Sequence, residues 1–467
     1  MLTFHDGNAR LGRRNFLQVG SLALGGLTLP QLLSLRDAQA GSSGKGKFLK
    51  DRSVIFVFLH GGPSQFETFD PKMSAPVGVR SATGEISTKL PGVTFGSTFT
   101  RLASMNDKFS IVRSYRTGDG NHDIKPIVSK STLGANMGSL YARIAGANHP
   151  VTGMPTNAAL FPRAVDPETQ KENNGFGKFA STGQLGTAYA PFSPGGEGNF
   201  QKDLELRLAR DHVEDRRNLL TSLDRLQRDL DAQGNVAGVD RLQQQAFQTV
   251  LGGIAKAFDL SQEDQKTVER YNTAPLVRPD QIARKWNNYN NYVDNAKSLG
   301  KLLLLARRLC ETGCGFVTVT TNFVWDMHAD VNNAGVEEGM GYMGQPLDYA
   351  LSALIQDLHE RGLSEKVLVV VSGEMGRTPR INKNGGRDHW GGLTPLLLSG
   401  GGLNMGQVIG QSTADGGEPH TEPMGLDNLL ATIMHSLVDL GQVRLMTGLP
   451  QDMLRAITTP TPITGLV

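Results

Sequence analysis

The chain has 467 residues, 39% hydrophobic and 20% charged, with a formal net charge of +2. That composition is that of a globular protein able to bury a large core, and its charge balance excludes recognition of nucleic acid or of an anionic membrane by bulk electrostatics. Two cysteines in the whole length exclude a disulfide framework and a cysteine-based zinc site.

The first forty residues read as a targeting segment. Gly12-Arg13-Arg14-Asn15-Phe16-Leu17-Gln18 is a twin-arginine pattern. A mildly apolar run over Val19–Leu35 follows, then Ala38-Gln39-Ala40 with small residues suited to cleavage. The reading is a signal peptide over 1–40 and a mature chain from Gly41. It would be exported by the twin-arginine translocase to the periplasm or an equivalent compartment. The run is short and glycine-rich for a span, so no stable membrane span is expected after cleavage. The forty residues carry the whole +2, leaving the rest balanced.

Residues 41–467 are expected to form one α/β domain with a helical insertion at about 200–300. Ser53–Leu59 is a continuous apolar run, the pattern of a central parallel strand, and it ends at His60-Gly61-Gly62. The two glycines would allow close backbone approach to a ligand or metal. Thr83–Phe95 reads as a hairpin or loop excursion. Phe109–Arg113 is a second buried strand, followed by a polar loop that carries His122 and Asp123. Val151–Ala159 and Leu185–Phe192 read as strand or loop segments along one edge. From Lys202 to Gln233, leucines recur at helical spacing, and helices are predicted onward through Val239–Ala257 and Glu263–Asn272.

Ser298–Glu311 is a helix closed by Gly313 and followed by the strand Phe316–Thr320, half of a βαβ unit. Cys310 and Cys314 are read as small buried hydrophobes. The strand runs into Asp326 and His328, two residues apart and therefore on the same face of extended backbone. A helix over Leu347–Arg361 leads to the apolar strand Val367–Val371, which stops at Ser372-Gly373-Glu374. A polar, glycine-containing loop follows and ends at Arg387-Asp388-His389. Thr394–Leu398 is a further strand, Gln407–Gly410 a short edge strand, and Leu426–Leu440 the closing helix.

In a doubly wound parallel sheet, the C-terminal ends of these strands share one edge. His60, His122, Asp326, His328, Glu374 and His389 would then meet there. Imidazoles with carboxylates and no thiolate suit a divalent metal such as Zn²⁺ or Mn²⁺, one or two ions. Arg113, Arg377 or Arg387 would clamp an anionic ester substrate.

Three stretches also resemble a known family. FLHGGPSQFETFDPK (Phe58–Lys72), VWDMHAD (Val324–Asp330) and SGEMGRTPRINKNGGRDHWGG (Ser372–Gly392), with the twin-arginine start, resemble the DUF1501 family of exported bacterial proteins. That family is grouped with the alkaline phosphatase-like and sulfatase-like superfamily. The resemblance implies an α/β/α sandwich with a mostly parallel sheet and a metal site at the strand ends. It implies Asp326, His328, Glu374 and His389 as metal ligands; the residue pattern adds His60 as a further expected ligand and His122 as ligand or general acid/base. The implied activity is metal-dependent hydrolysis of phosphate or sulfate esters. Two departures bear on it. His60 stands where the superfamily has an Asp, and Glu374-Met375 stands where it has Asp-His. No nucleophile stands out; Ser64, Ser129 and Thr132 are candidates, and a metal-activated water is another. The alternative is a non-catalytic exported binding or scaffold protein with a degenerate site.

Overall fold

A computed structural model describes residues 4–6, 9–11, 48–195 and 255–467. The chain forms two compact units, Met1–Lys50 and Asp51–Val467. In the first, Phe4–Asp6 pairs antiparallel with Ala9–Leu11. The twin-arginine stretch, the apolar run after it, the leucine-rich segment 202–233 and most of 239–257 lie outside the described residues.

The larger unit is built on a seven-stranded sheet among the described residues. In chain order, β1 is Ser53–Phe58, β2 Glu85–Ser87, β3 Thr94–Gly96, β4 Ser110–Val112, β5 Asn157–Leu160 and β6 Phe316–Thr320. They are followed by β7 Val367–Ser372, β8 Gly376–Ile381, β9 Arg387–Trp390, β10 Leu396–Gly400 and β11 Val408–Ile409. The sheet order is β11-β4-β10-β7-β1-β6-β5. β5, β6, β1 and β7 run parallel, while β10 is antiparallel to both neighbours. β4 therefore runs in the same direction as β7, and the ends leading to His60, His122, Asp326 and Glu374 share one edge. Phe192 extends the sheet beyond β5 through its backbone bonds to Asn157 and Ala159.

The strands are buried on both faces, which is why they read as continuous apolar runs rather than alternating ones. Ile55, Val57, Val317, Val319, Val369 and Val371 point into the core shared with two long helices, α2 (Tyr289–Glu311) and α3 (Val336–Glu360). The opposite face is covered by α1 (Met137–Ala145) and α4 (Leu426–Leu437). A Cβ on Gly138 of α1 would strike Phe316, and Gly401 lies against both Leu368 and Ser436 of α4. The result is a three-layer α/β/α sandwich with a mainly parallel sheet.

α2 and α3 both begin earlier than their apolar patterns predict. The added turn-rich asparagines of α2 are held by tertiary bonds, with Asn295 Oδ1 accepting from Thr321 and Asp294 Oδ2 from the Gln170 amide. α3 starts with Glu337 and Glu338 in its first turn, where the helix dipole favours acids, and carries Pro346 inside. β2 and β3 form the predicted excursion hairpin. Cys310 and Cys314 are free thiols, and burial pushes Cys310 up to about 12. No helix among the described residues is long and apolar enough to cross a membrane.

Candidate metal centre

The polar stretch after β7 is a hairpin, not a loop. β8 pairs antiparallel with β9, with a register shift between Arg377 and Ile381. Sequence pattern misses it because β8 (GRTPRI) carries two arginines and a proline. The strand forms because its polar groups find partners inside the fold. The Arg377 amide donates to Gln65 Oε1, and Gln65 Nε2 donates back to the Arg377 carbonyl. The Arg387 amide donates to the Met327 carbonyl, which lays the hairpin on the segment after β6.

That segment is anchored from its other side by the end of β1. The His60 carbonyl accepts from the amides of Val324 and Trp325. Gly61 has φ +118, and a Cβ there would fall 2.5 Å from the Asp326 amide nitrogen. The close approach foreseen for these glycines is thus to the chain itself. It fixes where Asp326 stands.

Four side chains converge at this point. His122, Asp326, His328 and His389 each offer a ligand atom, and these atoms all lie within 4.8 Å of one another. Asp326 Oδ1 is 2.9 Å from His328 Nε2, 3.3 Å from His389 Nε2 and 3.4 Å from His122 Nε2. The Nε2 atoms of His328 and His389 are 2.7 Å apart. Three imidazole nitrogens and a carboxylate oxygen aimed at one point form a donor set that fits a divalent metal.

The outer partners follow the carboxylate–histidine pattern of metal sites. His122 Nδ1 is 3.1 Å from Glu374 Oε1, and the same oxygen accepts the Gly61 amide at 2.8 Å. His328 Nδ1 is 3.4 Å from Asp388 Oδ1. Asp388 also accepts from Asn382, whose Nδ2 donates to the His328 carbonyl as well. Phe176 and Phe323 stack on each other and wall off His122, with ring centroids 5.1 and 4.7 Å from it. The opposite side is open, and His389 keeps 31% of its side-chain surface exposed.

Electrostatics separate the groups. Burial alone would push the Asp326 carboxyl up, but the Arg377 guanidinium and the three imidazoles hold it far below the usual carboxylate range. Burial alone would lower His122, yet its bonds to Asp326 and Glu374 raise it above the ordinary value of 6.5. His60 is lowered by complete burial.

Several predicted residues take other positions. His60 is not in the four-residue group. Its ring packs among Phe58, Phe176, Phe179 and Phe323, and its Nε2 has no partner. It contributes through its backbone carbonyl. Glu374 is also outside the group. One oxygen is held by His122 and Gly61, and the other is buried without a partner.

The arginines expected to clamp an anion are engaged within the protein. Arg387 is fully buried, ion-paired to Glu67 and bonded to the carbonyls of Val79, Arg80, Thr378 and Pro379. Arg377 donates to the carbonyls of Gly61, Gly62 and Arg387 and at 2.6 Å to Asp326 Oδ1. Arg113 is bound to Asp70 and to the carbonyls of Phe69 and Thr94. The physical reason is common to all three. A guanidinium brought into the interior must satisfy its donors there, and strand-end loops offer carbonyls. Of the candidate nucleophiles, Ser64 Oγ donates to Glu67, Thr132 Oγ1 to the Ser129 carbonyl, and Ser129 Oγ is buried without a partner. Sequence reasoning missed Glu67, Asp388, Phe176 and Phe323. Asp388 stood in view beside His389, while nothing in the glycine-rich stretch marked Phe176.

Residues 51–456 match the family described as "Protein of unknown function (DUF1501)". The chain belongs to the DUF1501 family. No curated protein matches it by sequence. Among solved structures, this DUF1501 chain is similar to the PsFucS1 sulfatase from Pseudoalteromonas sp., at 10% identity and TM-score 0.35, covering 93% of this chain and 76% of that one. It is also similar to a phosphonate monoester hydrolase from Silicibacter pomeroyi, at 11% identity and TM-score 0.31, covering 88% and 78%. A third likeness is to the lipoteichoic acid synthase LtaP from Listeria monocytogenes, at 10% identity and TM-score 0.30, covering 90% and 81%.

Proposed function

We propose that this DUF1501 protein is an exported hydrolase of phosphate or sulfate esters that works with a divalent metal, Zn²⁺ or Mn²⁺. The ion would be held by His122, Asp326, His328 and His389. The observation that carries the reading is the meeting of these four side chains from three distant stretches of chain within 4.8 Å. The reaction class rests on the motif resemblance and on the site's place at the strand ends. Export rests on the Arg13-Arg14 pattern, with the twin-arginine translocase as partner and the periplasm as destination.

An ion bound there would supply Lewis-acid polarisation of the ester and a lowered pKa for water. The chain's own residues do the rest. Glu374 fixes the tautomer of His122 by accepting at Nδ1, so that Nε2 faces the centre. Asp388 does the same for His328 from the solvent side. Arg377 keeps Asp326 ionised and oriented. Phe176 and Phe323 exclude water behind His122, leaving entry past His389.

The test is metal analysis of protein purified from its export compartment, with generic phosphate and sulfate esters assayed on wild type and His328→Ala. Stoichiometric metal and turnover, both lost in the variant, support the reading. A second reading, a protein that binds metal and anion without turnover, is favoured by the full engagement of Arg113, Arg377 and Arg387. Metal without turnover would select it. Absence of metal from the wild type would overturn both.

A further inference from the structure

Beside His389 the surface opens into a cavity of about 360 Å³ lined by Arg116, Asp119, Trp390 and Glu418 over a floor of glycines. The size is in the range of small-ligand sites. Its floor is made where two loops touch. The Gly118 amide donates to the Gly391 carbonyl, and a Cβ on Gly391 would fall 2.3 Å from the Asp119 amide nitrogen. A Cβ on Gly392 would fall 2.5 Å from Trp390 Nε1 and 2.6 Å from Glu418 Oε1, so the glycine lets the indole and the carboxylate pack against this backbone.

The lining points to one class of ligand. Trp390 is half-buried and pinned by its Nε1 donating to the Gly417 carbonyl at 2.6 Å, which fixes the plane of the indole. Two carboxylates, Asp119 and Glu418, reach the cavity from opposite loops. Their charge is balanced locally, by Arg116 in the lining and by Lys125, whose Nζ is 2.6 Å from Asp119. A second anion would meet the carboxylates, and an organic cation would meet Arg116 and Lys125. An aliphatic alcohol would leave the charged groups unpaired. A neutral polyol with an apolar C–H face and hydroxyls around its edge meets each of these groups with what it needs.

We propose that this cavity is a monosaccharide subsite: Trp390 stacks on a pyranose face while Asp119, Glu418 and Arg116 bind its hydroxyls. On the ester-hydrolase reading, on which this extension rests, the sugar is the alcohol half of the substrate. The substrate class is then a sulfated or phosphorylated carbohydrate, its ester group directed past His389 to the metal centre.

The test is equilibrium titration of the intact chain with the methyl glycosides of glucose, galactose, mannose and fucose, with choline and inorganic sulfate as probes of the rival ligand classes. p-Nitrophenyl sulfate and phosphate are assayed in parallel. One or more glycosides should bind, and affinity should fall about tenfold or more in Trp390→Ala, the size expected for a lost stacking surface. Glu418→Ala, which truncates an exposed side chain, should weaken the same glycoside several-fold. No glycoside binding, glycoside affinity unchanged in Glu418→Ala, or tighter binding of choline or sulfate would overturn the subsite. Glycoside binding that responds to the variants, with no turnover of either nitrophenyl ester, would keep the subsite and remove the hydrolase reading. Ester turnover without glycoside binding would do the reverse.

Discussion

Glu67 and Asp326 stand just beyond the ends of neighbouring strands, and each gathers an arginine, yet they are opposite kinds of site. Glu67 and Arg387 are both fully buried and closed. Glu67 takes Arg387, Ser64 and the Ala82 amide, while the remaining guanidinium donors reach carbonyls and the guanidinium carbon lies 4.2 Å over Phe66. Around Asp326 the count does not close. One oxygen faces Arg377 and three imidazoles, while Glu374 Oε2 and His60 Nε2 nearby have no partner. Charged residues at strand ends therefore do not by themselves mark a functional site. A closed pair is part of the fold, whereas imidazole nitrogens converging on one carboxylate oxygen make a donor set for an ion.

The contrast can be broken from either side. The largest effect is expected from Asp326→Ala, which should abolish stoichiometric Zn²⁺ uptake, read by elemental analysis after dialysis. Retained stoichiometric metal would show that the four side chains are not its ligands. Arg387→Met should act on the fold instead. Leaving Glu67 buried and unpaired should cost about 3–5 kcal/mol in urea unfolding. The protein that remains folded should bind metal as the wild type does, and a loss of metal at unchanged stability would refute the division.

Glu374→Gln should weaken metal binding about 10–100-fold, the usual cost of losing an outer carboxylate on a ligating imidazole. Competition with a chromogenic chelator measures it, and an unchanged affinity would return Glu374 to a packing role. The raised His122 value sets a pH dependence. In the metal-free protein, protonated His122 between two carboxylates stabilises the fold below its ordinary 6.5, and that contribution is lost as pH rises through the raised value. Metal uptake needs the neutral ring, so affinity should climb through the same interval, with a midpoint that moves down in Glu374→Gln. A midpoint at or below 6.5 in the wild type would contradict the pairing. The smallest effect belongs to Asp388→Asn. Its carboxylate is 61% exposed and 3.4 Å from His328, so it should change metal affinity by less than about tenfold.

The sheet was legible because buried parallel strands announce themselves as unbroken apolar runs, and Ser53–Phe58, Phe316–Thr320 and Val367–Ser372 do so. Asp326 and His328 do reach one point, but through tight turns, the His328 amide donating to the Asp326 carbonyl, and not along the extended backbone that their spacing suggested. What could not be read was the company each polar residue keeps. His60 sits at the end of a central strand just as a ligand would, but phenylalanines from 176, 179 and 323 close around it. Arg387 looks available in a motif full of polar residues, but its partner is Glu67, in a different stretch of the chain. The hairpin of β8 and β9 has no apolar period because its stability comes from Gln65, Glu67 and the backbone at 327.

The order of the four converging residues along the chain sets when the centre could form. His122 follows β4, Asp326 and His328 follow β6, and His389 lies in a hairpin after β7. A ribosome has made most of the chain before His389 appears, and no nascent chain ending before residue 389 contains all four groups. Occupancy of the centre would therefore serve as a timestamp: a chain carrying the ion is one whose synthesis has passed residue 389 and whose three strand ends are already in place.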